Sequence, residues 1–215
     1  MRIALFGAGG TIGRRVLEEA LGRGHEVTAV MRDPKRLPAP VGRVALVQGD
    51  VLDATSVAAA VRGHDAVISA VGPAHTADAR PQMLVDAARA LITGLPQAGV
   101  RRLLVVGGAG SLEVRPGLQL VDTPEFPAAW RPVALAHRDA LALYRAAPPG
   151  LDWTYFSPAA LIEPAKRTGT YRIGGEQLLT DRLGKSRISV EDFAVALLDE
   201  LERPKHIRQR ITVAY

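Results

Sequence analysis

An apolar run at residues 2–6 leads into Gly7-Ala8-Gly9-Gly10-Thr11-Ile12-Gly13, after which Val16, Ala20 and Leu21 recur at helical spacing until Gly24. Glycines at 7, 10 and 13 give G-x-x-G-x-x-G, a better fit than the G-x-G begun by Gly7 and Gly9, whose sixth residue is Ile12. A turn of this kind between strand and helix lets a pyrophosphate approach the free N–H groups at the helix start, and Gly13 lets the helix pack near the strand. Gly7, Gly9, Gly10, Thr11, Ile12 and Gly13 are therefore candidate contacts to a dinucleotide. The competing reading is a tight turn that binds nothing.

A second set of residues bears on which dinucleotide. The residue ending the second strand faces the adenosine ribose in such folds, where a carboxylate accepts from a 2′-hydroxyl and an arginine suits a 2′-phosphate. Arg32 stands there, followed by Asp33, with Lys35 and Arg36 close behind, which favours NADP(H) over NAD(H). The alternative is a solvated Arg32 beside an Asp33 that holds an NADH ribose. Asp50 and Val51 are placed to meet the adenine, with an N-cap role open for Asp50 or Asp53. Ala70, Val71 and Gly72 follow the fourth strand and should pass near the nicotinamide side.

These residues need a scaffold of strands ending at one edge. Strand-like runs lie at 27–31, 44–47, 66–70, 102–106, 153–156 and 211–214, with turn signals at Asp33-Pro34 and from Pro38 to Pro40. Helical patterns lie at 53–62, 80–93, 133–146 and from an N-cap at Ser189 to Leu201. Continuous Val/Ile/Leu strands alternating with amphipathic helices predict a Rossmann-type α/β fold, a doubly wound parallel sheet with helices on both faces. The turn-rich stretch 158–187, within a substrate-side region of about 155–190, is expected to lie over the open sheet edge and supply substrate contacts. At 215 residues, against roughly 150 per domain, a single domain is expected.

Composition narrows the chemistry. Hydrophobic residues at 47% and charged residues at 23% are ordinary globular usage, and the absence of Cys removes thiolate nucleophiles, iron–sulfur clusters and Cys-based zinc sites. The net charge of +5 is spread in ones and twos without a dense Lys/Arg block, which argues against nucleic acid as the partner. With no uninterrupted apolar run near the ~18 residues of a membrane span and no signal-peptide core, a cytoplasmic protein that does not bind membranes is expected. The five histidines, His25, His64, His75, His137 and His206, show no metal-ligand spacing, and no G-x-S-x-G elbow occurs.

The chain resembles an atypical short-chain dehydrogenase/reductase of the NAD(P)H-binding, NmrA-like group, and most closely NADH-flavin-reductase-like proteins. The resemblance rests on Gly7 to Gly13, Val30-Met31-Arg32-Asp33, Gly49-Asp50-Val51, Val105-Val106-Gly107-Gly108-Ala109-Gly110-Ser111-Leu112, Asp152-Trp153-Thr154 with Ser157-Pro158, Arg167-Thr168-Gly169 and His206-Ile207-Arg208-Gln209-Arg210. The Arg32 segment and Gly49-Asp50-Val51 are also similar to flavin reductases of the biliverdin-reductase-B type. The resemblance implies NAD(P)H binding and hydride transfer to a flavin, which serves as substrate and not as a bound prosthetic group.

Ordinary short-chain dehydrogenases use Tyr-x-x-x-Lys to protonate a carbonyl oxygen. Here Pro148, Ala159 and Gly175 stand four residues after Tyr144, Tyr155 and Tyr171, and Tyr215 is the last residue, so the motif is absent. Flavin reduction needs it less, because stacked rings pass the hydride while solvent or a weak acid supplies the proton. Candidate catalytic residues are Ser111, as a hydrogen-bond donor, and His137, as a proton donor, each with a plain structural alternative. Phe126, Trp130 and Phe156 are candidate stacking partners, and Gly108, Phe156, Ser157 and Pro158 are expected to border the nicotinamide. A small-molecule acceptor and a monomer or homodimer are expected. The rival reading is a non-catalytic NAD(P) redox sensor of the NmrA-like kind.

Overall fold

The structure is a computed structural model that describes residues 1–33, 35, 44–73 and 80–215. Arg36, His75 and the turn at 38–40 lie outside the described residues. The order is β1 (Arg2–Phe6), α1 (Thr11–Gly22), β2 (Glu26–Met31), β3 (Val44–Gln48), α2 (Ala54–Val61), β4 (Ala66–Ser69), α3 (Met83–Ala98) and β5 (Arg102–Val106). A small hairpin follows, β6 (Glu113–Arg115) with β7 (Leu118–Gln119), then α4 (Arg131–Ala146) and β8 (Asp152–Ser157). The chain finishes with β9 (Leu161–Glu163), β10 (Arg172–Gly174), β11 (Arg187–Ser189), α5 (Val190–Glu202) and β12 (Gln209–Ala214).

Eight strands form one sheet in the order β10-β12-β8-β5-β4-β1-β2-β3, parallel throughout except for β10, which runs antiparallel on β12. This is the doubly wound Rossmann-type fold read from the sequence. Successive side chains of β1 serve opposite faces: Ile3 and Leu5 join the layer of α1 and α5, while Ala4 and Phe6 join that of α2, α3 and α4. Burial on both faces explains why the strands read as continuous apolar runs. The strand order reverses between β1 and β4, which opens a crevice at the carboxyl ends of these strands.

Several boundaries differ from the sequence reading. Helix α3 runs on to Ala98, carrying Pro96 in its last turn and stopping at Gly99 in the left-handed region, φ 75°. Helix α4 starts two residues early at Arg131, where Pro132 fits the first turn because its missing N–H needs no partner there. Arg32 falls just beyond β2 and does not continue the strand.

Candidate active site

The glycine turn divides its labour. Gly7 has φ 84°, and a Cβ there would sit 2.4 Å from the Ala70 carbonyl oxygen. A Cβ on Gly13 would sit 2.0 Å from the Gly7 carbonyl oxygen. These two glycines are therefore required by the close approach of β1, α1 and the end of β4. Gly9 and Gly10 are exposed, and Gly10 is the N-cap of α1 with no side chain to cap it. Its own groups are used, its N–H donating to Gly7 O at 3.0 Å and its carbonyl accepting from Arg14 N–H at 2.9 Å. The N–H groups of Thr11, Ile12 and Gly13 find no acceptor among the described residues. By contrast α2 is capped by Asp53, which accepts from Ser56 N–H at 2.8 Å, and α5 by Ser189, which accepts from Asp192 N–H at 2.9 Å. An open helix start with unpaired donors and no acidic residue in its first turn suits an anionic diphosphate.

A cavity of about 260 Å³ opens beside this turn, gathering Gly7, Gly9, Gly10, Arg32, Asp50, Val51, Ala70, Val71 and Gly72. Thr11, Ile12 and Gly13 are not in its wall; Thr11 is exposed, Ile12 packs on the core and Gly13 is buried. Gly49, Leu52 and Met83 also line it, and sequence reasoning did not single them out as contacts. A Cβ on Gly49 would meet Val30 Cγ1 at 2.7 Å, which accounts for the glycine before Asp50. Asp50 accepts from Leu52 N–H at 3.0 Å, and the N-cap role belongs to Asp53. Arg32 is exposed at the rim, and its guanidinium makes no ion pair among the described residues. The residues present fit a dinucleotide: uncapped N–H groups for the diphosphate, Val51 and Met31 for an adenine face, and Arg32 at the ribose end.

Gly72 lines this cavity and Pro73 lines the next, so the two adjoin. The second cavity is larger, about 680 Å³, and mostly apolar, bounded by Gly108 to Gly110 after β5, by Phe126, Trp130, Val133, Ala134 and His137 on one side, and by Pro158 to Ala160 with Ile162 on the other. Trp130 is 61% exposed, standing at the mouth. Glycines make this wall possible. A Cβ on Gly107 would be 2.0 Å from Tyr155 Cε1, on Gly108 2.9 Å from His137 Cδ2, and on Gly110 2.6 Å from Ala134 Cβ.

Four expectations are corrected. Ser111 is buried and faces Arg210, whose Nη1 donates to its Oγ at 3.3 Å and Nη2 to its carbonyl at 3.2 Å, so it does not reach the cavity. Phe156 is wholly buried, edge-on to Phe193 with centroids 6.0 Å apart, because its place in β8 points it into the α1/α5 layer. Ser157 is also sealed from solvent and lies outside the cavity wall. Of that segment Pro158 alone borders the site. The stretch 158–187 supplies only Pro158, Ala159, Ala160 and Ile162 to the wall, fewer substrate contacts than the sequence reading assigned it.

His137, which the sequence places more readily on a helix surface, is half-buried and lines the cavity. Its Nδ1 lies 3.1 Å from the Tyr155 hydroxyl, and that hydroxyl lies 2.9 Å from the His137 carbonyl oxygen. Burial pushes the imidazole pKa down to about 4, so the ring is neutral at pH 7. Burial also raises the Tyr155 phenol well above its ordinary value. Tyr155 was missed because its partner is 18 residues away and is a histidine, where the sequence search looked for a lysine four residues on.

Comparison with known proteins agrees with this geometry. A protein-family model described as NAD(P)H-binding matches residues 7–201. The chain belongs to this NAD(P)H-binding family. YwnB of Bacillus subtilis is 42% identical over 216 aligned positions, covering 99% of this chain and 98% of that protein. Among solved structures, a candidate exported protein of Burkholderia pseudomallei shares 49% identity at TM-score 0.91, with 100% of both chains covered. A candidate epimerase of Bacteroides thetaiotaomicron shares 41% at TM-score 0.90, with 100% of this chain and 96% of that one covered. A candidate NADH-flavin reductase of Streptococcus pneumoniae shares 37% at TM-score 0.88, with 100% and 99% covered. Fold and family are those of NAD(P)-binding oxidoreductases of the atypical short-chain dehydrogenase group. Among the described residues no helix is long and apolar enough to cross a membrane, and no group of three or more His, Asp or Glu is arranged to hold a metal.

Proposed function

We propose that the protein is an NADPH-preferring reductase that passes a hydride to a free flavin or a similar planar acceptor such as a quinone. The observation that carries this reading is the junction at Gly72-Pro73 between a cavity with dinucleotide features and a larger apolar cavity mouthed by Trp130 and Phe126. When bound, the coenzyme supplies the hydride; the chain's own residues bind, orient and shield. The α1 N-terminus holds the diphosphate, Arg32 meets the 2′-phosphate, and the wall from Gly108 to Gly110 with Pro158 lets two flat rings lie together while water is kept out. The Streptococcus relative supports the choice of a flavin. An epimerase-like or ketone-reducing reaction is disfavoured, since the phenol of Tyr155 is committed to His137 and has no lysine to lower its pKa.

Absorbance at 340 nm during turnover with NADPH and riboflavin, FMN or a benzoquinone tests the proposal. Steady loss of NADPH is expected. Coenzyme binding with no turnover on any acceptor would instead favour the redox-sensor reading, which further requires unequal affinity for oxidised and reduced coenzyme. For coenzyme choice, Arg32→Ala is expected to weaken NADPH by roughly tenfold to a hundredfold, through loss of a charge-assisted phosphate contact, and to leave NADH nearly unchanged. Equal losses would mean Arg32 does not read the phosphate.

A further inference from the structure

Hydrogen positions around Tyr155 follow from counting. Its hydroxyl has one hydrogen, and the 2.9 Å approach to the His137 carbonyl oxygen requires that hydrogen between the two oxygens. The 3.1 Å contact between the same hydroxyl and His137 Nδ1 then requires a hydrogen on Nδ1. In a neutral imidazole this leaves Nε2 bare. Nε2 has no hydrogen-bond partner among the described residues and is not among the buried atoms sealed from solvent, and its ring lines the larger cavity. The site therefore presents an acceptor here, in place of the proton donor that was one of two readings of His137 from the sequence.

The cavity wall also has a charge pattern. Among the described residues lining it, Glu125 is the one carboxylate and no Lys or Arg is present. Arg131 begins α4 next to Trp130 but is not part of the wall, and Arg138 pairs with Asp122 at 3.6 Å. A phosphate or carboxylate on the acceptor would meet Glu125 with no Lys or Arg among the described wall residues to compensate.

Resting on the reductase reading, we infer that the acceptor site selects a neutral planar heteroaromatic carrying an N–H donor, such as the isoalloxazine of riboflavin, over phosphorylated or carboxylated acceptors, and that His137 Nε2 receives this N–H. His137 is thus a specificity-determining residue that touches the acceptor. Its hydrogen-bonded partner Tyr155 is a positioning residue that fixes the tautomer.

The test measures riboflavin and FMN binding by flavin fluorescence, with NADP⁺ saturating, beside turnover with NADPH. Riboflavin is expected to bind at least about threefold tighter than FMN at low salt, as repulsion at a partly exposed rim allows, and Glu125→Gln is expected to bring the ratio near one. A 3-methyl riboflavin, which lacks the N–H, is expected to bind about tenfold more weakly than riboflavin, the order expected when a buried acceptor goes unpaired. In His137→Phe that preference should disappear; the wild-type ratios stand even if this variant folds poorly. FMN binding as tightly as riboflavin, indifference to N3 methylation, or binding of neither flavin would overturn the inference. The expected ratios without turnover would leave it intact and defeat the reductase reading instead.

Discussion

At the scale of single residues, Gly13 and His137 carry the sharpest expectations. Gly13→Ala places a methyl 2.0 Å from the Gly7 carbonyl oxygen, so a loss of at least about 1–3 kcal/mol is expected in denaturant titration, together with loss of coenzyme binding. An unchanged midpoint would mean that the turn gives way. Burial holds the His137 pKa down at about 4, so kcat/KM with riboflavin should be level from pH 8 to about 5 and fall toward 4 as Nε2 gains a proton. A rate that climbs as pH drops from 6.5 toward 4 would restore the imidazolium proton donor. The glycine turn was legible because main-chain geometry admits only glycine at Gly7 and Gly13. Phe156 and Ser157 were misplaced for an opposite reason. Where a strand is buried on both faces, no polar alternation reveals which way each side chain points, and β8 is buried on both.

Among the elements, α5 has the role that the sequence least revealed. Asp192, in its first turn, accepts from Thr168 N–H at 2.8 Å, Thr168 Oγ1 at 2.7 Å, Gly169 N–H at 2.7 Å and the Tyr215 hydroxyl at 2.7 Å. Arg167 reaches Glu19 on α1 through Nε at 2.8 Å and Nη2 at 2.9 Å. The Arg-Thr-Gly segment is thus a fastening that ties the stretch 158–187 to two helices. Burial works to raise the Asp192 carboxyl, but the Thr168 and Tyr215 hydroxyls and the two N–H groups outweigh it and hold the carboxyl below its ordinary range. The stability this confers is present above the unfolded value of 3.8 and is lost as pH falls through the lower folded value. Asp192→Asn is therefore expected to lower the melting temperature at pH 7 and to flatten its decline below about pH 4. The same acid limb in wild type and variant would assign the pH response elsewhere. Helix and strand order was readable from periodicity, whereas these fastenings join residues 23 to 148 positions apart and leave no local pattern.

For the molecule as a whole, the sheet reversal between β1 and β4 opens the crevice, and two cavities adjoin along it at Gly72-Pro73. The central claim is that α1 is left uncapped so that a coenzyme diphosphate can complete it. Calorimetric titration of NADPH into the wild-type protein and Gly10→Asp tests it most directly. Gly10 has extended backbone angles, φ −81° and ψ 167°, which any residue adopts, and aspartate is a strong N-cap that stabilises a helix by a few tenths of a kcal/mol or more over glycine. The expected result is a folded variant at least as stable as wild type, whose own carboxylate occupies the helix start and weakens NADPH by more than about tenfold. No heat from NADPH or NADH with the wild-type protein, or equal affinity in the stably folded variant, would contradict the account.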